Sequence, residues 1–122
     1  MWMVLGLAYL SACDGGLRVP NIEVDPCTGN PVTLRVEVVD AQGGPVGGAV
    51  VTATNTETGH SITSTTTERG VTTAVHEDIG PGRVVLTALA GTRPSDSAEV
   101  KWTCDECHCY PEPGSVQLHL RP

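Results

Sequence analysis

Between residues 32 and 38 the chain alternates without a break. Val32, Leu34, Val36 and Val38 share one face, and Thr33, Arg35 and Glu37 share the other. A period of two is the mark of a half-buried strand. "AQGGPVGG" follows as a turn built from Gly and Pro, and "AVVTATN" is the second strand. "ETG" turns into "HSITSTTT", a third strand of β-branched residues, and "ERG" turns into "VTTAV", the fourth. After "HEDIGPG" come "RVVLTALAG" as the fifth and "SAEVKW" as the sixth, with Ala98, Val100 and Trp102 on one face. "SVQLHL" closes the set with Val116, Leu118 and Leu120 inward. No window has the period of an amphipathic helix. Short strands at regular spacing, punctuated by turns, predict an all-β fold, a seven-stranded antiparallel β-sandwich over residues 32–122.

The pattern ahead of residue 32 is different. Residues 1–12 carry no charge and are mostly apolar. They are too few to span a bilayer as a helix, which takes about 20 residues, and they match the apolar region of an export signal. Leu10-Ser11-Ala12-Cys13 resembles the lipobox of bacterial lipoproteins, although no Lys or Arg precedes the apolar run. The resemblance implies that residues 1–12 are removed as a signal peptide and that Cys13 becomes an acylated N-terminus. Asp14 resembles the signal by which enteric lipoproteins are retained at the inner membrane. Residues 13–31, with few apolar side chains among Pro and Gly, read as a tether.

Charge narrows the partners. The net charge is −7, from 14 acidic and 7 basic residues, all beyond Cys13. An acidic chain whose one Lys and few Arg are scattered lacks the basic footprint of a nucleic-acid binder. It is equally unsuited to docking on anionic headgroups, so attachment to a membrane falls to the lipid on Cys13. The expected location is exported and lipid-anchored, at the cell membrane or the outer membrane. The chain has no Phe, and beyond the signal its only aromatics are Trp102 and Tyr110. Val, Ala and Thr must therefore fill the core, and a small core of this kind gains most from a covalent staple.

Residues 38–91 resemble the carboxypeptidase regulatory-like domains, which are transthyretin-like β-sandwich modules. The matching elements run from Asp40 to Val51 ("DAQGGPVGGAVV"), from Asn55 to Gly59 ("NTETG") and from Thr66 to Gly70 ("TTERG"), then "IGPGR" before a strand ending at Gly91. Where the family usually carries aromatics, this chain has Val71 to Val75 and Arg83-Val84. The opening "VVDAQGGPV" is also similar to bacterial Ig-like repeats of the invasin type. Either resemblance implies a non-catalytic β-sandwich. Some relatives share their fold with starch-binding modules, so carbohydrate binding is an expectation by fold analogy, with Trp102 and Tyr110 as its candidate platforms.

The chemistry-bearing stretch is "CDECHC", residues 104–109. With Cys13 assigned to the anchor, Cys27, Cys104, Cys107 and Cys109 remain, an even number in an exported chain. Of the three connectivities, the one joining Cys107 to Cys109 needs a strained small ring. The other two tie Cys27 to Cys107 or to Cys109, and close a small ring from Cys104. A tie from Cys27 closes a loop of about 80 residues, worth roughly 4 kcal/mol. The rival reading uses Cys104, Cys107 and His108 as a C-x-x-C-H haem attachment or as metal ligands. Haem would need a further ligand from His60, His76 or His119, since no Met follows the signal. "HED" (His76-Glu77-Asp78) reads as an exposed charged loop, and no Ser lies in a G-x-S-x-G elbow.

These observations lead to a non-catalytic, cofactor-free envelope lipoprotein. It acts as a binding or spacer module, its partner an envelope protein or a glycan. The alternative is a haem- or metal-binding envelope protein built on Cys104, Cys107 and His108.

Overall fold

The computed structural model describes Cys27 and residues 29–122. The expected signal peptide, Cys13 and nearly all of the expected tether lie outside the described residues. The described chain is all-β and packs two sheets face to face. Its strands are β1 (Thr33–Val39), β2 (Val50–Asn55), β3 (Ser61–Thr65), β4 (Val71–His76), β5 (Gly82–Ala90), β6 (Arg93–Pro94), β7 (Ala98–Cys104), β8 (Cys109–Glu112) and β9 (Ser115–His119). A 3-10 turn, Glu77–Ile79, follows β4. The small sheet has the order β9-β1-β4; the large one runs β3-β2-β5-β7-β8, with β6 paired to β5.

Two corrections to the expected seven-stranded antiparallel sandwich follow. The described strands number nine, because β6 and β8 are short and contain Pro94 and Pro111, so neither shows an alternating apolar face. The sandwich is also not wholly antiparallel. Strand β9 lies parallel to β1, from Ser115 beside Arg35 to His119 beside Val39. Both strands start at one end of the molecule, since Glu112-Pro113-Gly114 carries the chain from the large sheet across to the small one.

Alternation decided what is buried. Leu34, Val36 and Val38 of β1 meet Val51 and Ala53 of β2, Val84 and Leu86 of β5, Val100 and Trp102 of β7 and Leu118 of β9 in one core. Trp102 is the largest of them and is 1 % exposed. Asn55 is the most deeply buried of the polar residues, at 0 % exposed, and its polar atoms are satisfied. Its Nδ2 donates to the carbonyls of Ile79 and Pro81, both at 2.9 Å, while its Oδ1 accepts from Glu57 N at 2.9 Å. One amide side chain thereby fastens the β2–β3 turn to the loop before β5, as a buried amide must if it is not to cost folding energy.

One glycine is dictated by space. Gly70 has φ of 76°, and a Cβ there would stand 2.8 Å from both Val38 O and Val46 N. Its carbonyl accepts from Val38 N at 2.8 Å, which draws the β3–β4 turn onto the end of β1.

Candidate functional site: a disulfide-braced hairpin

"CDECHC" forms the closed end of the β7–β8 hairpin. Thr103 stands opposite Tyr110 and Cys104 opposite Cys109, and four residues make the turn. Asp105 organises that turn: its Oδ1 accepts from Cys107 N and His108 N, both at 2.8 Å, and its own N donates to His108 O at 2.9 Å. These two N–H groups, His108 foremost, hold the Asp105 carboxyl below the usual carboxylate range. A side chain that bonds its own backbone in this way is a general reason for Asp in turns.

The structure adopts one of the two connectivities that spacing left open. Cys104 is bonded to Cys109 across the hairpin neck, and Cys27 is bonded to Cys107 in the turn, with 4.6 Å between Cα atoms in the second pair. With their sulfurs joined in this way, Cys104 and Cys107 offer neither thiolates for a metal nor thiols for a haem thioether. His108, the third member of that rival set, is turned onto Glu77.

Glu77 departs from the expectation of an exposed loop. Its side chain is only 13 % exposed, and its carboxylate gathers donors from three places. Oε2 accepts from Val32 N at 2.7 Å, Oε1 accepts from Cys109 N at 3.1 Å, and His108 Nδ1 lies 3.0 Å from Oε2. Glu77 N also donates to Val32 O at 3.0 Å. The Val32 N–H is the main reason that the Glu77 carboxyl titrates below its ordinary value. His108 and Cys109 add to this, and partial burial opposes it. One carboxylate thus joins the start of β1, the end of β4 and the tip of the hairpin. Neighbouring His76 is half-buried and Asp78 is exposed.

The two candidate platforms separate. Trp102 is in the core, which corrects its candidacy as a ligand platform: the inward phase it shares with Val100 buries it completely. Its Nε1 has no hydrogen-bond partner among the described residues. Tyr110, on the other face of the hairpin, is 49 % exposed. Its ring meets the edge of His108, with centroids 6.3 Å apart at 64°. His60 and His119 are exposed, and His119 Nδ1 lies 3.7 Å from Asp96. No local signal marks Glu77 as a hub, because "HED" after a strand looks the same whether solvent or a hairpin covers it.

Fold and hairpin together define a small β-sandwich module stapled twice at one end. No known protein family matches the chain, and no curated protein is significantly similar to it.

Proposed function

We propose that this chain is a non-catalytic envelope module of the carboxypeptidase regulatory-like kind, exported and held to a membrane by lipid on Cys13. It binds or spaces an envelope protein or glycan. The observation that carries the reading is the bond between Cys27 and Cys107. Disulfides persist in oxidising compartments outside the cytosol, and this one takes up the chain at Cys27, within the last few residues of the expected tether. Tension on a lipid-anchored N-terminus reaches Cys107 in the hairpin before it reaches Val32 at the head of β1. The Cys104–Cys109 bond then spreads it into the β7–β8 pairing. A spacer that holds its domain against a membrane needs this order of connections, so that β1 is not peeled from the sheet.

The test is fractionation of the expressed full chain after feeding with an alkyne-tagged fatty acid. The wild type should carry the tag, lack residues 1–12 and partition into detergent, and Cys13→Ser should move to the aqueous phase untagged. A soluble wild type that retains residues 1–12 would overturn the anchor.

A further inference from the structure

We propose that the outward face of β5, β7 and β8, beside the braced hairpin, is a glycan-binding groove that takes a neutral or N-acylated oligosaccharide. The proposal rests on the reading of the chain as an envelope binding module and names its ligand class.

The groove is built by register. Arg83 of β5 stands opposite Lys101 of β7, which stands opposite Glu112 of β8. Three charged side chains therefore project in one row, about 4.8 Å from strand to strand. Glu99, one outward position away on β7, is ion-paired with Arg83. Glu57 enters from the turn after β2, with Oε2 accepting from Arg83 N at 3.2 Å. It can do so because residue 82 is glycine: a Cβ there would lie 2.9 Å from Glu57 Cδ. These five residues line a cleft of about 390 Å³, within the roughly 300–1,000 Å³ of small-ligand sites.

Tyr110 supplies what the cleft lacks. It faces Thr103 on the same outward side, two residues from Glu112 and so about 6.7 Å along the strand. A sugar ring has an apolar C–H face and a rim of hydroxyls that both donate and accept. The exposed tyrosine ring offers an apolar surface with a polar tip. Glu57, Glu99 and Glu112 accept from hydroxyls, while Arg83 and Lys101 donate to them. The closed hairpin holds Tyr110 in place before any ligand arrives, which lowers the ordering cost of binding.

The same residues argue against other ligands. Three carboxylates outnumber two cations, on a chain of net charge −7, so polyanions are repelled. The lining is too polar for an apolar ligand. A peptide adding to the β8 edge would meet Pro111, which has no N–H to offer.

The test is titration of the disulfide-bonded chain, followed by amide NMR shifts and calorimetry. The probes are malto-, cello-, xylo- and chito-oligosaccharides, with oligogalacturonate as the anionic comparison. Saturable binding of at least one neutral or N-acylated probe is expected, with shifts concentrated at Lys101, Tyr110 and Glu112. Tyr110→Ala and Lys101→Met should each weaken it about tenfold or more at unchanged melting temperature, while Thr63→Ser on distant β3 should leave it alone. The groove reading is overturned if no neutral or N-acylated probe binds at millimolar concentration, if oligogalacturonate binds tighter, or if Tyr110→Ala changes nothing. Fractionation of the same preparations keeps the two readings apart. An anchored chain that binds no glycan refutes the groove alone, and a soluble, unprocessed chain that binds one refutes the anchor alone.

Discussion

Replacing Trp102 by two different residues separates the two things it does. The indole is 1 % exposed, the largest side chain in a core otherwise made of Val, Leu, Ile and Ala. Trp102→Ala should therefore cost about 3–5 kcal/mol, the range for emptying an aromatic site in a close-packed interior. Trp102→Phe removes two ring carbons and the N–H. At about 0.8 kcal/mol per buried carbon group the lost burial is about 1.6 kcal/mol. Against that, Nε1–H has no partner among the described residues, and a buried donor left unpaired costs about 1–3 kcal/mol. The two terms nearly cancel, so Trp102→Phe should lie within about 1 kcal/mol of the wild type. Urea unfolding followed by far-ultraviolet circular dichroism measures both variants without relying on the indole they remove. In melting temperature the Ala variant should fall by more than about 12 °C and the Phe variant by only a few degrees, at about 4–8 °C per kcal/mol. A Phe variant as unstable as the Ala variant would show that the N–H is bonded after all. An Ala variant within about 1 kcal/mol of the wild type would mean that Trp102 is not in the core.

Three further perturbations probe the hairpin and the sheet it leans on. Because Glu77 titrates below its ordinary 4.5 in the folded chain, the stability it contributes is present above the unfolded value. That stability is lost as pH falls through the lowered folded value. Melting temperatures taken from pH 7 to pH 3 should therefore drop more steeply for the wild type than for Glu77→Gln below about pH 5, and parallel curves would refute the hub. Replacing Cys27 and Cys107 together with Ser opens a loop spanning 80 positions, which the chain-entropy relation values at up to about 4.5 kcal/mol. Peptide mapping of the unreduced protein should link Cys27 to Cys107 and Cys104 to Cys109, and a Cys27–Cys109 peptide would overturn the arrangement. Gly70→Ala forces a left-handed residue against Val38 O and Val46 N and should cost more than about 2 kcal/mol. An unchanged denaturation midpoint would show that the β3–β4 turn does not approach β1 so closely.

What could be read in advance was which way side chains face. The alternation of β1 correctly buried Leu34, Val36 and Val38, and that of β7 buried Val100 and Trp102, since a period of two assigns faces directly. It leaves neighbours unassigned. The parallel pairing of β9 with β1 changes no face, so no pattern announced it. Nor did any pattern reveal β8, where Pro111 and the adjoining Cys-rich turn obscure the strand. The shelter of Glu77 escapes local pattern for the same reason: its acceptor oxygens are filled from 45, 31 and 32 residues away in sequence. A carboxylate is exposed or sheltered according to what those distant segments bring.

The same limit explains why the groove is not visible in any single strand. Alternation already turned Glu99 and Lys101 outward, opposite to Val100 and Trp102. On an isolated strand such charges are only a solvated face. They become a lined cleft when β5 supplies Arg83 on one side and β8 supplies Glu112 and Tyr110 on the other, with Glu57 reaching in over Gly82. Strand β8 can hold that place because the hairpin behind it is closed at Cys104–Cys109 and tied down through Cys107 and Glu77. A four-residue strand at a sheet edge has little pairing of its own to fix it. The cysteines that looked like a site are on this account the brace, and the chemistry they position lies on the face beside them.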